Sequence, residues 1–261
     1  MQASGSKRTS ITRALRTWVV LVFAVGVGLP VDAAELKRVR LSDGTEIEYA
    51  LVLPADFRDD KIYPALLAFP GGRQNLESVR GGLSRFWERE AAKRGYIVFS
   101  PAAPTGKPFY ESGADLILEF LQRQLAAFKI EGGKFHVAGS SNGGVSAFVA
   151  AIRYPELFHS LTALAGFPVE QVDFDRLHRL QNIKIAMFVG DGDQYWKEGM
   201  EKTRERLASL GKQVYFEVIP RNGHFLPDLS FENSARIFER IGLVGCGGVP
   251  LGAATRTSTM K

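Results

Sequence analysis

Between residues 36 and 53 apolar and polar positions alternate, with Ile47, Tyr49, Leu51 and Leu53 recurring every second residue. That period belongs to a half-buried strand. The intervening Ser42-Asp43-Gly44-Thr45 has the composition of a hairpin turn joining strands at 36–41 and 47–53. Further along, alternation gives way to short unbroken apolar runs at 65–69, 96–99, 135–138, 161–164, 183–189 and 214–219. Such runs suit parallel strands covered on both faces. Helical periodicity lies between them. Ile117, Phe120, Leu121, Leu125 and Phe128 share one helical face, as do Trp196, Met200, Leu207 and Leu210. Two antiparallel strands followed by β-α repeats predict a three-layer α/β sandwich, with a mostly parallel, roughly eight-stranded sheet between two layers of helices.

The two ends of the chain read differently. Residues 1–16 are polar and cationic, 17–29 are almost unbroken apolar, and Pro30-Val31-Asp32-Ala33-Ala34 follows. This is the layout of a secretory signal peptide, so the expected division is 1–33 signal peptide, 34–243 folded domain and 244–261 disordered tail. Cleavage after Ala33 would leave the mature chain in the periplasm or outside the cell. The apolar run is shorter than the roughly 18 residues of a stable membrane span. No span is therefore expected after cleavage, and retention as an N-terminal anchor is the alternative.

Charge and cysteine usage narrow the classes further. The formal net charge is +5, but residues 1–33 hold Lys7, Arg8, Arg13 and Arg16 against Asp32 alone. The remainder carries 29 basic and 27 acidic residues, a net of +2. A nucleic-acid partner is not expected on that balance. Cys246 is the single cysteine, which excludes an intramolecular disulfide and a cysteine-rich zinc site.

The candidate chemistry begins at Gly139-Ser140-Ser141-Asn142-Gly143, a G-x-S-x-G pattern between an apolar strand and a helix running to about Arg153. In an elbow of this kind the central serine stands on a strained turn above the sheet edge, and the flanking glycines let strand and helix approach. Ser140 lacks that flanking, so Ser141 is the candidate nucleophile; ordinary Ser-Gly punctuation is the bland alternative. A serine hydroxyl needs a base, and the base needs an orienting acid. Of the four histidines, His136 lies in a buried strand, while His159 and His178 sit at or inside helical segments; structural roles are expected for these three. His224 follows the last strand in Pro220-Arg221-Asn222-Gly223-His224-Phe225 and is the candidate base. Asp191 and Asp193 both end the preceding strand and could supply the acid; Asp191 also suits a turn or helix cap.

Negative charge on an attacked carbonyl oxygen calls for backbone donors held in place. The amide of Asn142 follows the nucleophile. The loop Phe69-Pro70-Gly71-Gly72-Arg73-Gln74 offers Gly72 as the leading second donor and Arg73 as the next. Phe109, Tyr110, Trp196 and Phe225 are candidate substrate-lining aromatics, though rings near strand ends are also common core residues.

Segments 69–75, 139–144, 190–193 and 223–225 together resemble an α/β-hydrolase, and more narrowly the compact secreted esterases of the polyhydroxybutyrate depolymerase and feruloyl esterase type. The likeness spans about residues 36–242. It implies the chain order serine, acid, histidine. Relatives carry the acid in a G-x-x-D pattern, which falls on Gly190 and Asp193 and selects Asp193. Pro70 stands where many relatives have histidine. The implied reaction is acyl transfer to water through Ser141 on a small-molecule or polymeric ester, with no metal or organic cofactor. Only about fifteen residues separate Phe167 from Asn182, where many relatives insert a lid, so an open site without a substantial lid is expected. A serine peptidase of the prolyl oligopeptidase type and a non-catalytic binding protein on the same scaffold are the competing readings.

Overall fold

The computed structural model describes residues 34–241 except Thr105; the expected export segment 1–33 and tail 244–261 lie outside them. β1 (Ala34–Arg40) and β2 (Glu46–Val52) form the first hairpin, paired antiparallel. Its turn closes where the Leu41 N–H donates to the Thr45 carbonyl at 2.8 Å, with Gly44 at φ +88°. Glycine carries that left-handed conformation without a Cβ clash. The remaining strands are β3 (Ala65–Phe69), β4 (Ile97–Pro101), β5 (Phe135–Ser140), β6 (Phe158–Leu164), β7 (Lys184–Gly190) and β8 (Tyr215–Ile219). They lie in the order β1-β2-β4-β3-β5-β6-β7-β8. β2 runs antiparallel to β4, and every later pairing is parallel.

Among the described residues seven α-helices flank the sheet: α1 (Leu76–Gly82), α2 (Glu88–Arg94), α3 (Ala114–Ala127), α4 (Asn142–Arg153), α5 (Gln171–Asp175), α6 (Gln194–Ser209) and α7 (Ala235–Ile241). Two π-helical turns, Leu83–Trp87 and Phe109–Gly113, precede α2 and α3. Because successive strand residues face opposite sides, β3 and β5 divide their side chains between two cores. Leu67, Phe69 and Val137 pack with Ile117, Phe148 and Met200 of α3, α4 and α6. On the other face Leu66, Ala68 and Ala138 join Ala91 and Phe238 of α2 and α7. The result is the expected three-layer sandwich.

One local reading changes. β6 begins at Phe158, three residues before the predicted strand start, so His159 lies in the strand rather than in a helical segment. The reason is Pro155: it disfavours helical backbone at Tyr154, so α4 ends at Arg153 and one 3₁₀ turn (Pro155–Leu157) leads directly into the strand. Between β6 and β7 the chain makes α5 and a 3₁₀ turn, Leu177–Leu180, whose two leucines are buried in the core. Among the described residues this segment adds no substantial lid over the sheet edge.

His136, the second residue of β5, has 3 % of its surface exposed and is hydrogen-bonded through Nδ1 to Ser160 Oγ at 2.7 Å. Burial drives its pKa down to about 4, and the neighbouring His159 adds to the shift. Above pH 6.5 both folded and unfolded chains hold a neutral ring, so the shift costs nothing. Between pH 6.5 and about 4 the unfolded chain takes a proton that the folded one refuses, which removes about 3 kcal/mol of stability in total. Urea midpoints measured at pH 7 and pH 4.5 should therefore draw closer together in His136→Asn than in the wild type; an unchanged gap would contradict this assignment.

Candidate active site

The ends of β3, β5, β7 and β8 converge at the carboxyl edge of the sheet. At the end of β5, Ser141 adopts φ +55°, ψ −125°, a conformation rare for a residue with a Cβ. Packed backbone holds it there. The Ser141 N–H donates to the Leu164 carbonyl at 2.8 Å, and the Gly144 N–H donates to the Ser141 carbonyl at 2.8 Å. A Cβ on Gly143 would stand 2.3 Å from the Phe69 carbonyl oxygen, so only glycine lets α4 begin against the end of β3.

The Ser141 hydroxyl lies 2.9 Å from Nε2 of His224, and Nδ1 of the same ring lies 2.7 Å from Oδ2 of Asp193. A carboxylate only accepts, so Nδ1 carries the proton and Nε2 is left to accept from the serine. Asp193 is at the start of α6, yet its carboxylate makes no cap to the helix amides and is turned to the histidine instead. Asp191 is exposed and joins the structure through its backbone N–H, which donates to the Ile219 carbonyl at 3.0 Å. The acid and base loops touch through backbone: a Cβ on Gly190 would lie 2.2 Å from the Asn222 carbonyl oxygen. Trp196 stacks on the His224 ring at 5.4 Å between centroids and 29° between planes. Behind it, Gly199 leaves room for the Phe167 ring, which a Cβ there would meet at 2.3 Å.

A cleft of about 410 Å³ opens in front of Ser141 and His224. Gly72, Arg85, Phe225 and Leu226 are among its walls. Gly72 sits at φ +58°, and its carbonyl accepts from the Asn142 side chain at 2.9 Å, so loop and elbow are tied together. Arg73 is exposed and forms no part of the cleft wall.

The four expected aromatics separate into different places. Phe225 lines the cleft and Trp196 braces the histidine. Phe109 does not line it: the ring is 1 % exposed and packs on Phe69 at 5.3 Å in the core. The π-helical turn that begins at Phe109 takes the ring inward. Tyr110 is half-buried, beside Glu111 and near Glu170 and Tyr195, outside the cleft wall; burial raises its phenol pKa and those acidic neighbours add to the rise.

Two supporting residues went unread in the sequence. Gln74, fully buried at φ +56°, donates to the Pro70 carbonyl at 3.1 Å and to Ser146 Oγ at 2.9 Å, and accepts from the Phe109 N–H at 2.7 Å. Asn222, also buried, donates to the Pro220 carbonyl at 3.0 Å and to Asp228 at 2.9 Å, and accepts from the Asp228 N–H at 3.1 Å. Each gives a loop its own polar core. Their position one or two residues from a candidate donor or base was the available signal.

The sheet order and the elbow at its carboxyl edge define an α/β-hydrolase fold. Residues 42–218 match the family described as "Putative esterase", which is more than half of the chain, and the chain belongs to that family. Dipeptidyl-peptidase 5 of Porphyromonas gingivalis is 29% identical over 151 residues, 51% of this chain and 21% of that protein. A solved thermostable esterase superposes with TM-score 0.62 at 20% identity, over 74% of this chain and 56% of its own. A CE1 ferulic acid esterase from Anaeromyces mucronatus, solved with ferulic acid, gives TM-score 0.63 at 15% identity, over 81% and 90% of the two chains. The chain thus spans about a fifth of the curated relative and just over half of the thermostable esterase. At these identities the superpositions speak for the fold.

Gly190→Ala tests the loop contact. The added Cβ must part β7 from the histidine loop, an overpacking cost of about 2 kcal/mol and a fall in melting midpoint of about 5 °C. A midpoint within 1 °C of wild type, about the scatter of such a measurement, would show that the two loops tolerate separation.

Proposed function

We propose that this chain is an exported serine hydrolase that cleaves carboxylic esters through an acyl-enzyme on Ser141. The observation that carries the reading is the unbroken hydrogen-bond chain from the Ser141 hydroxyl through His224 to Asp193. Nε2 of His224 takes the hydroxyl proton as Oγ bonds to the ester carbonyl carbon. The tetrahedral oxyanion is received by the backbone amides of Asn142 and Gly72, with the Arg73 amide the alternative second donor. Collapse breaks the bond to the alcohol, which leaves with the proton from His224. Water then loses a proton to the same ring and attacks the acyl carbon, and Oγ departs carrying that proton. Asp193 keeps the ring in the productive tautomer and stabilises the imidazolium, and the Trp196 face adds attraction for that cation.

Family membership and the open edge left by the packed-down 165–183 segment favour small or exposed esters. The basic n-region and apolar run of residues 1–33 support export to the periplasm or the medium. No helix among the described residues is long and apolar enough to cross a membrane. A serine peptidase is the second reading, favoured by the likeness to Dipeptidyl-peptidase 5.

Turnover of short p-nitrophenyl esters and of dipeptidyl p-nitroanilides separates the two. Ester cleavage that disappears in Ser141→Ala is expected; faster anilide cleavage would favour the peptidase. Asp193→Asn should lower kcat on the order of 10⁴-fold by analogy with other triads. Asp191→Asn should change it by less than about tenfold, and the reverse ranking would overturn the choice of acid.

A further inference from the structure

The cleft has walls that are mostly glycine and apolar side chain, and in that setting it holds one permanent positive charge, Arg85. Among the described residues no carboxylate pairs with this guanidinium, and no acidic side chain lines the cleft. Aromatic rings hold it instead. Its central carbon stands 5.5 Å from the Phe225 ring centroid, 5.9 Å from Phe231 and 6.0 Å from Phe86. Phe225 and Phe231 are 71 % and 51 % exposed. These rings therefore form a rim with a cation between them. They attract the charge through their faces but offer no hydrogen-bond acceptors, so the five guanidinium N–H donors still seek one. Arg85 is carried there by the π-helical turn Leu83–Trp87, which also buries Leu83, Phe86 and Trp87. A site on a turn anchored by three buried side chains is pre-organised.

We infer that Arg85 is a specificity residue that receives a carboxylate on the substrate, so that the preferred esters are anionic: half-esters of dicarboxylic acids, or esters whose alcohol portion ends in a free carboxylate. The inference rests on the ester-hydrolase reading above. A planar guanidinium binds a carboxylate with two parallel hydrogen bonds, and the semi-apolar cleft strengthens the pair relative to open water. Phe225 and Phe231 hold the guanidinium while its N–H edge takes the anion. The neutral analogue would meet the same serine without that contact.

The experiment uses the mature chain and matched ester pairs. Phenyl hydrogen adipate against phenyl hexanoate places the charge on the acyl side. 3-Butanoyloxybenzoate against phenyl butanoate places it on the alcohol side. The readout is the ratio of kcat/KM for the anionic to the neutral member. In Arg85→Gln that ratio should fall at least about tenfold for one of the pairs, mainly through KM. Arg85→Lys should recover part of it. Rising salt should erode the wild-type ratio and leave the Arg85→Gln ratio nearly flat. Lys202→Gln, at an exposed position in α6, controls for overall charge and should leave the ratio as in wild type. Equal losses on the two members in both pairs, so that Arg85→Gln leaves neither ratio changed, would overturn the inference while ester cleavage stands. No cleavage of either member by the wild type would instead remove the ester-hydrolase reading.

Discussion

A serine held at φ +55° beside an imidazole requires three loops to meet with almost no side chain between them. Backbone contact supplies that condition. The start of α4 lies against the end of β3 because position 143 has no Cβ, and the end of β7 lies against the histidine loop because position 190 has none. Remove either allowance and the hydrogen bonds of 2.9 Å and 2.7 Å that join Ser141, His224 and Asp193 lose their common origin. The parallel sheet gives these contacts their place, since it brings every contributing loop to one edge. A site assembled at strand ends is also more rigid than one assembled on free loops.

Around that contact the loops are stabilised by polar groups of their own. Gln74 closes the loop after β3 and ties Pro70, Ser146 and Phe109 into one network. The buried amide of Gln74 reaches the Pro70 carbonyl directly. Asn222 does the equivalent work for the histidine loop through Pro220 and Asp228. Each bond is worth about 1 kcal/mol, enough in sum to hold a short loop in a single conformation. The open side of the cleft has a different character, with exposed Phe225 and half-buried Arg85 at its rim. The cleft thus has a floor of packed backbone and an accessible wall.

How much of this could be read along the chain varies with the physical signal. The runs that became β3, β5 and β7 are buried on both faces, and continuous apolarity marks such strands well; β3 falls on residues 65–69 as the pattern predicts. β6 begins earlier because His159 and Ser160 interrupt the apolar run while their backbones still extend. Helices α1, α2 and α7 carried no periodicity long enough to register, being seven residues each. Ser141, Asp193 and His224 could be singled out because glycine flanking, strand ends and family spacing all pointed at them, and the folded chain brings those three side chains together. Phe109 was misplaced since a ring's sequence position does not say whether a turn directs it inward. Arg85, Gln74 and Asn222 are ordinary polar residues in the sequence, and their roles arise from partners up to 146 positions away, as with Arg85 and Phe231.

The most direct measurement follows the rate at which a fluorophosphonate attaches to the protein, with the modified peptide identified by mass. One adduct on Ser141 is predicted, forming at least about a hundredfold more slowly in His224→Ala, because the hydroxyl then has no base within reach. Labelling at another residue, or an unchanged rate without His224, would contradict a serine activated at this edge of the sheet.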